Sequence, residues 1–274
     1  MKLARRFAYH MLAIALTGLF LLPLAWTLAG SLRQPGLPPP TRIEWLPDPL
    51  AFDNYVRLFE LLPFARYVFN SLLVTTVAVP LTLLVASWAG FAMARLQPVL
   101  RNRLVLISLA VLMLPSTALW LTRYLVLDAL GLINTYGALV VAALMGTSPL
   151  FVLLFYWTFR RIPADVLDSA RLDGASPLRT WWSVAMPLAR PTVVAVGVLS
   201  WLFYWSDFMS PLLYVKSQAL YTLPVGLQQL RQLDPTNWPL LLAGAVVATV
   251  PPVVLFLVAQ RLLIRTDHTR LPLG

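Results

Sequence analysis

Long apolar stretches separated by short polar segments dominate the hydrophobic pattern of this chain. A stretch of about 18 or more apolar residues is long enough to cross the hydrocarbon core of a bilayer as an α-helix, at ~1.5 Å of rise per residue. The pattern therefore predicts an all-α, polytopic membrane helical bundle with six transmembrane helices. We place them at residues 7–30, 68–93, 104–125, 136–159, 191–214 and 239–263.

Composition supports lipid as the solvent of this chain. Hydrophobic residues make up 59% and charged residues only 12%, and the mean hydropathy is +0.75. Soluble domains usually carry about 25% charged residues. With 274 residues the chain has room for one membrane domain, which we place at residues 1–274. Cysteine is absent and the two histidines, His10 and His268, lie near opposite ends, so we expect no catalytic residues, no metal site and no cofactor bound by this chain.

The basic residues indicate the orientation in the membrane. With the N-terminus inside, 14 of the 21 lysines and arginines fall on the inner side and 7 on the outer side. Cytoplasmic loops carry the excess of such residues, so both termini are predicted to be cytoplasmic. This sorting accounts for the net charge of +10 without a nucleic-acid partner. A cleaved signal peptide ending near Thr27-Leu28-Ala29 is the alternative to an uncleaved first helix. The uncleaved helix is favoured, because its apolar run is longer than the 7–15 residues of a signal-peptide core.

Prolines mark irregular backbone outside and inside the predicted spans. The outer segment 31–67 is proline-rich, which favours an ordered loop, with one short amphipathic helix through residues 52–61. Prolines within spans tend to kink helices, and such kinks either line a pathway or are ordinary features of membrane bundles. They are Pro80, Pro115, Pro149, Pro251 and Pro252.

The longest predicted cytoplasmic segment, residues 160–191, has the start and stop signals of two short helices. Pro163 suits a first helical turn, and Asp165 and Asp168 follow where the helix dipole favours acids. Asp173-Gly174 is a stop signal, with Gly174 able to take the left-handed conformation. Ser176-Pro177 restarts a helix, and we expect Pro187 to end it.

The second of these helices has an apolar face at helical spacing. Its members are Leu178, Trp181, Trp182, Ala185 and Met186. Three roles fit this face on pattern alone. The first is docking on a partner protein. The second is a position on the membrane surface with the tryptophans at the headgroups, and the third is packing back against the bundle.

The same segment resembles the coupling loop of permease subunits from binding-protein-dependent ABC importers. That family's signature is Glu-Ala-Ala, three residues, Gly, nine residues, Ile-x-Leu-Pro. This chain has Asp168-Ser169-Ala170, then Gly174, then Val184-Ala185-Met186-Pro187, with the same spacing throughout. Asp168 and Ser169 replace the usual Glu and Ala, and the shorter Asp168 weakens any polar contact that the family glutamate makes.

Further motifs are typical of the carbohydrate-importing branch of this family. They are Asn70-Ser71-Leu72, Gly131-Leu132-Ile133-Asn134-Thr135, Arg171-Leu172-Asp173-Gly174-Ala175, Trp205-Ser206-Asp207-Phe208 and Tyr221-Thr222-Leu223-Pro224-Val225-Gly226. Six spans is also the count expected of the smaller permease subunit of maltose-type importers. The resemblance therefore implies a sugar or oligosaccharide permease in a bacterial inner membrane.

The resemblance also implies partners. It implies a cytoplasmic ABC ATPase dimer that holds ATP and Mg, a homologous second permease subunit and an external solute-binding protein. No phosphate-binding Gly-Lys-Ser/Thr occurs in this chain, since Val215 precedes Lys216-Ser217. The residues implied to dock on the ATPase are Asp168, Ser169, Ala170, Asp173, Gly174, Leu178, Trp181, Trp182, Met186 and Pro187.

Asp207 is the most notable acid near a span. It is a candidate for gating or subunit contact, and interfacial solvation is the alternative. A secondary transporter or channel not driven by ATP is the main competing function, although such carriers usually place acids or histidines deep in the bundle. A purely structural membrane subunit is another. The sequence assigns no residue to the substrate and leaves maltose, trehalose, other oligosaccharides and glycerol phosphate open.

Overall fold

The computed structural model describes residues 2–42, 44–144 and 148–267, and every regular element in these ranges is helical. The α-helices, in chain order, are α1 (Lys2–Ser31), α2 (Asp53–Leu61), α3 (Phe64–Arg95), α4 (Pro98–Leu112), α5 (Trp120–Ala129), α6 (Tyr136–Leu144), α7 (Pro149–Arg160), α8 (Ala164–Leu172), α9 (Pro177–Thr180), α10 (Met186–Leu188), α11 (Arg190–Trp205), α12 (Met209–Tyr214), α13 (Leu223–Leu233) and α14 (Trp238–Asp267). Short 3₁₀ turns occupy Ser116–Leu119 and Gln218–Leu220, and a π-helical turn occupies Trp181–Ala185.

Four helical stretches are long and apolar enough to cross a membrane. They are Arg5–Ser31, Phe64–Arg95, Tyr136–Arg160 and Trp238–Arg261. The third contains α6 and α7 and passes residues 145–147, which lie outside the described residues. Four of the six predicted spans therefore correspond to these stretches.

The two remaining predicted spans are not single straight helices. In place of a helix over 104–125, α4 and the stretch Ser116–Ala129 meet at 94°. Pro115 causes this break, because it lies in extended backbone and has no N–H to continue the helix. In place of a helix over 191–214, α11 ends at Trp205 and α12 begins separately at Met209. The count is thus four spans, or up to six if each of two bent pairs is one span. The first pair is α4 with Ser116–Ala129, and the second is Pro177–Leu188 with α11, at 85°.

The other span prolines do not interrupt their helices. Pro80 lies inside α3, and Pro251 and Pro252 lie inside α14. Pro149 lies in the first turn of α7, where a missing N–H leaves no bond unmade. Of the five prolines predicted to kink spans, Pro115 is therefore the one that lies at a sharp bend in the described part of the chain.

One compact unit comprises Met1–Val68 and Leu223–Val253. The predicted amphipathic helix at 52–61 is confirmed as α2. The buried Asn54 amide donates to the carbonyls of Ser31 and Arg33, at 2.9 and 2.7 Å, and the Tyr55 hydroxyl lies 2.7 Å from that of Ser31. These bonds fix the C-terminal end of α1 to α2.

The second unit comprises Phe69–Thr222 and Val254–Gly274, and it contains the segment 160–191. Its largest core cluster joins α3, α7, the π-helical turn and α11, through Ala86, Phe91, Phe151, Phe155, Phe159, Trp181, Ala185, Ala189 and Val196. Helices α3 and α7 touch at backbone level, since a Cβ on Gly90 would lie 2.8 Å from the Tyr156 nitrogen and 2.8 Å from the Val152 oxygen. Small residues permit such close approach of membrane helices.

Candidate functional site

The first helix of the segment 160–191, which we call the coupling loop, ends as predicted, whereas Pro163 precedes it as the N-cap instead of lying in its first turn. Helix α8 follows Pro163 and carries Asp165 in its first turn. Gly174 has φ +76°, the left-handed conformation that glycine adopts without strain. The Gly174 N–H donates to the Arg171 carbonyl at 2.9 Å, and the Ala175 N–H donates to the Ala170 carbonyl at 3.0 Å. This pair of bonds is a Schellman cap, so the predicted stop at Gly174 is confirmed.

The second helix begins as predicted but does not end at Pro187. Ser176 is its N-cap, with the hydroxyl accepting from the Arg179 N–H at 3.3 Å. The helix then widens into the π-helical turn and continues through Pro187 to Leu188. A wider turn relieves the clash of a proline ring with the carbonyl four residues back. The prediction that Pro187 stops the helix is therefore wrong by one residue.

Beyond Leu188 the chain bends by 85° into α11. Ala189 at this corner is fully buried, and its N–H donates to the Ala185 carbonyl at 3.0 Å. The coupling loop is thus connected to α11 through a packed, hydrogen-bonded corner.

The predicted apolar face divides into a buried and an exposed part. Trp181 is 5% exposed and Ala185 is 0% exposed, whereas Trp182 is 67% and Leu178 is 54% exposed. The Trp181 ring stacks on that of Trp88 with 6.0 Å between centroids. One side of the loop therefore packs against the bundle, and the other side is free to bind a partner.

A groove of about 560 Å³ lies beside the exposed tryptophan. Its walls are Trp182, Met186, Pro187, Arg190 and Val193. The surface is mainly apolar with one cation at its edge. Exposed tryptophan next to arginine is the composition most enriched in the high-energy positions of protein interfaces.

The remaining predicted docking residues lie on or just after α8. Asp168 is exposed and its carboxylate pairs with the Arg171 guanidinium at 3.0 Å. The Ser169 hydroxyl donates to the Val166 carbonyl, and Ala170 is 9% exposed and packed. Asp173 is exposed beside Gly174. Asp168 is therefore tied to its own helix by a surface ion pair, which is weak and easily exchanged for another cation.

Asp207 lies between α11 and α12 and is partly buried. Its carboxylate accepts from the Ser210 N–H at 3.0 Å and so caps the first turn of α12. The Tyr214 hydroxyl donates to the Trp120 carbonyl of α5 at 3.5 Å, and Arg123 and Asp207 both act electrostatically on this hydroxyl. Sequence reasoning did not identify Arg123, because it lies far from Asp207 and Tyr214 in the chain.

Two asparagines hold the turns between α12 and α13. The Asn70 amide donates to the carbonyls of Ala219 and Tyr221, at 2.9 and 2.8 Å. Asn134 has φ +62°, and its side-chain oxygen accepts from the N–H groups of Lys216 and Ser217 at 3.0 and 2.7 Å. Both asparagines belong to motifs typical of the carbohydrate branch, which was the sequence signal for their role.

Within the described ranges, no three His, Asp or Glu side chains come together in an arrangement that would hold a metal ion. The geometry in this part of the chain is that of an interaction surface carried on helices.

Comparison with known proteins shows the family to which the chain belongs. The family model "Binding-protein-dependent transport system inner membrane component" matches residues 82–266. The arabinooligosaccharides transport system permease protein AraQ of Halalkalibacterium halodurans is 33% identical over 216 residues, which cover 78% of this chain and 77% of that protein. The sulfoquinovosyl glycerol transport system permease protein SmoH of Agrobacterium fabrum is 30% identical over 247 residues, covering 90% and 86%.

Solved structures agree on the fold. A chain of a bacterial ABC transporter involved in import of the acidic polysaccharide alginate superposes with a TM-score of 0.71 at 20% identity, covering 93% of this chain and 96% of that chain. The fold is therefore that of an ABC importer permease. The chain belongs to the family of inner membrane components of binding-protein-dependent transport systems, and it is a transport permease subunit.

Proposed function

We propose that this chain, as a single permease domain over residues 1–274, forms half of the translocation pathway of an ATP-driven importer for a sugar or oligosaccharide. The coupling loop 160–191 docks on a separate cytoplasmic ATPase dimer that holds ATP and Mg. A homologous second permease subunit completes the pathway, and an external binding protein delivers the solute. Both termini lie in the cytoplasm, on the side of the coupling loop.

The carbohydrate substrate is supported by the names of the two relatives, both of which transport solutes built on a sugar. The motifs that contain Asn70 and Asn134 support the same substrate class, because they resemble those of the carbohydrate branch. No residue is assigned to the substrate itself.

The observation that carries the proposed coupling is the division of the loop into two sides. Trp182 and Leu178 are exposed for a partner, while Trp181 and Ala185 are buried in the cluster with α3, α7 and α11. A displacement of the exposed side by a bound partner is transmitted to the packed helices, because close-packed protein interiors deform little. Closure of an ATPase dimer would therefore move α7 and α11 together with the loop.

The remaining docking residues fit this arrangement. Asp168 in the middle of α8 and Asp173 at its C-cap are exposed acids, and an ATPase arginine can replace Arg171 as partner of Asp168. Gly174 provides the left-handed turn that sets the direction from α8 into α9.

The test is reconstitution in proteoliposomes with the ATPase, the second permease and the binding protein. We expect solute accumulation that requires ATP and all four proteins, and ATP hydrolysis stimulated by the loaded binding protein. Omission of the ATPase is the decisive arm. Uptake that persists without it would refute the proposal in favour of a secondary transporter or channel, and a binding protein that takes only amino acids or metals would refute the sugar.

A further inference from the structure

A cavity of about 300 Å³ lies where α3 and α7 end and α8 begins. Most of its wall is apolar, and two arginines provide the charge. The lining residues are Phe91, Ala94, Arg95, Phe159, Arg160, Ile162, Ala164 and Leu167. It is on the same face of the membrane as the coupling loop, and it is separate from the groove beside Trp182.

Arg95 has unsatisfied hydrogen-bond donors at this cavity. Its guanidinium lies over the Phe91 ring, 3.8 Å from the centroid. Its Nε and Nη2 are buried and meet no hydrogen-bond acceptor among the described residues. A buried donor of a charged group left without a partner costs at least ~1–3 kcal/mol, so such groups are normally paired.

The acid that acts electrostatically on Arg95, Asp168, does not supply this partner. Asp168 acts electrostatically on Arg95, but its carboxylate is paired with Arg171 at 3.0 Å, and Arg171 opposes the charge of Arg95. Arg160 adds a further positive charge at the exposed edge of the cavity. The site therefore presents excess positive charge with two adjacent donors, which suits an anion with two acceptor oxygens.

We infer that this cavity binds the phosphate of an anionic phospholipid from the leaflet on the coupling-loop side. A guanidinium engages phosphate through two parallel N–H···O bonds. The cavity lies at the end of membrane-spanning α3, where lipid headgroups are, and its aromatic and aliphatic walls suit the glycerol and upper acyl carbons. Basic pockets between helices on the cytoplasmic side are a recurrent form of headgroup recognition.

An acidic side chain of a protein partner fits less well. It would have to enter a cavity in which six of the eight lining residues are apolar, at the end of membrane-spanning α3. The lipid also has a structural consequence, because Ala164 and Leu167 of α8 form part of the wall. A bound headgroup holds the first helix of the coupling loop in place.

The test compares lipid selectivity of the purified full-length chain, together with any subunits that co-purify, by native mass spectrometry and by thermal unfolding in detergent. The probes are phosphatidylglycerol and phosphatidylcholine with identical acyl chains. We expect the wild type to retain phosphatidylglycerol and to gain stability from it by mass action. Arg95→Gln should weaken retention about fivefold or more, the effect of roughly one arginine on an anionic lipid.

Arg103→Gln is the matched control, since Arg103 is an exposed arginine of α4 that does not line the cavity. It makes the same change in net charge and should leave retention near the wild-type value. Arg160→Gln changes the arginine at the rim of the cavity and should reduce phosphatidylglycerol retention to an intermediate extent. It provides a second test of the site if Arg95→Gln does not fold. Arg95→Lys should restore part of the binding, because lysine keeps the charge without the planar fork.

Three results would overturn the inference. Equal loss in Arg95→Gln and Arg103→Gln would show a general surface-charge effect. Displacement of retained lipid by millimolar glycerol phosphate, with equal protection by the soluble anion, would identify a free-phosphate site. Loss of ATPase binding in Arg95→Gln with unchanged lipid selectivity would identify a protein acid as the partner.

Discussion

Trp181 and Trp182 are neighbours in the chain to which the structure assigns opposite roles. Trp181 is 5% exposed and contributes to the core, whereas Trp182 is 67% exposed beside a groove. Truncation of a buried tryptophan costs ~3–5 kcal/mol of stability. For Trp181→Ala we expect the lower end, ~3 kcal/mol, because its ring N–H meets no acceptor within the described residues and no hydrogen bond would be lost.

Trp182→Ala should leave stability within ~0.5 kcal/mol, the usual range for exposed positions. Its expected effect is on the partner. An exposed tryptophan at the centre of an interface contributes ~2 kcal/mol or more, so affinity for the ATPase should fall about 30-fold. The two variants remove the same side chain from adjacent positions, so each is the control for the other.

Stability is measured by pulse proteolysis of the detergent-purified chain against denaturant, a readout that does not depend on tryptophan fluorescence. Affinity is measured by titration with a fluorescently labelled ATPase subunit. The reasoning would be refuted by similar loss of stability in both variants, or by wild-type ATPase affinity in Trp182→Ala.

The remaining predictions concern backbone conformation and close packing. In Gly174→Ala the added Cβ meets no atom within 4 Å, but the residue has φ +76°, so we expect ~1 kcal/mol of local backbone strain. The expected result is ATP hydrolysis that is no longer coupled to transport. The control is Gly36→Ala, which introduces the same strain at φ +82° in the loop after α1. Gly90→Ala should destabilise the chain by ~1–3 kcal/mol in the denaturation assay, because the added Cβ would meet the backbone of α7. In Gly197→Ala the Cβ has one contact, at 3.8 Å, so this control variant should be near neutral. Asn134→Ala should cost ~2 kcal/mol or more in the same assay, because alanine is strained at φ +62° and two hydrogen bonds are lost. Asn134→Gly should lose only the hydrogen bonds, because glycine adopts this backbone conformation without strain.

Each of these pairs has a contrary outcome. Equal uncoupling by Gly174→Ala and Gly36→Ala would remove the special role of the loop turn. Equal stability of Gly90→Ala and Gly197→Ala would mean that α3 and α7 separate without cost. An Asn134→Gly variant as unstable as Asn134→Ala would show that the left-handed backbone contributes nothing.

Local signals in the sequence predicted the elements whose structure is decided locally. The cap at Gly174 and the start at Ser176-Pro177 depend on residues within one helical turn, and both are as expected. The amphipathic helix α2 is another such case. Four of the six predicted spans also correspond to helical stretches that can cross a membrane, as expected where lipid requires backbone groups to be satisfied internally.

Features that depend on distant residues were not predictable in the same way. Pro80 and Pro115 lie in similar apolar sequence, yet Pro80 continues its helix and Pro115 breaks one, so the presence of a proline did not distinguish the two cases. The burial of Trp181 with exposure of Trp182 was missed because the apolar face was drawn with regular α-helical periodicity, which the π-helical turn changes. The Arg95 cavity combines α3, α7 and α8, so no single segment indicates it.

The π-helical turn at Trp181–Ala185 makes the number of residues in this stretch more important than their identity. Such a turn is equivalent to one extra residue in an α-helix, and each residue contributes about 100° of rotation. Deletion of one residue here would therefore rotate Met186 and Pro187 by about a quarter of a circle or more relative to Trp181, and would misalign Ala189 at the corner into α11. Different partner surfaces can be accommodated by exchange of exposed side chains such as Trp182, provided that the residue count is kept.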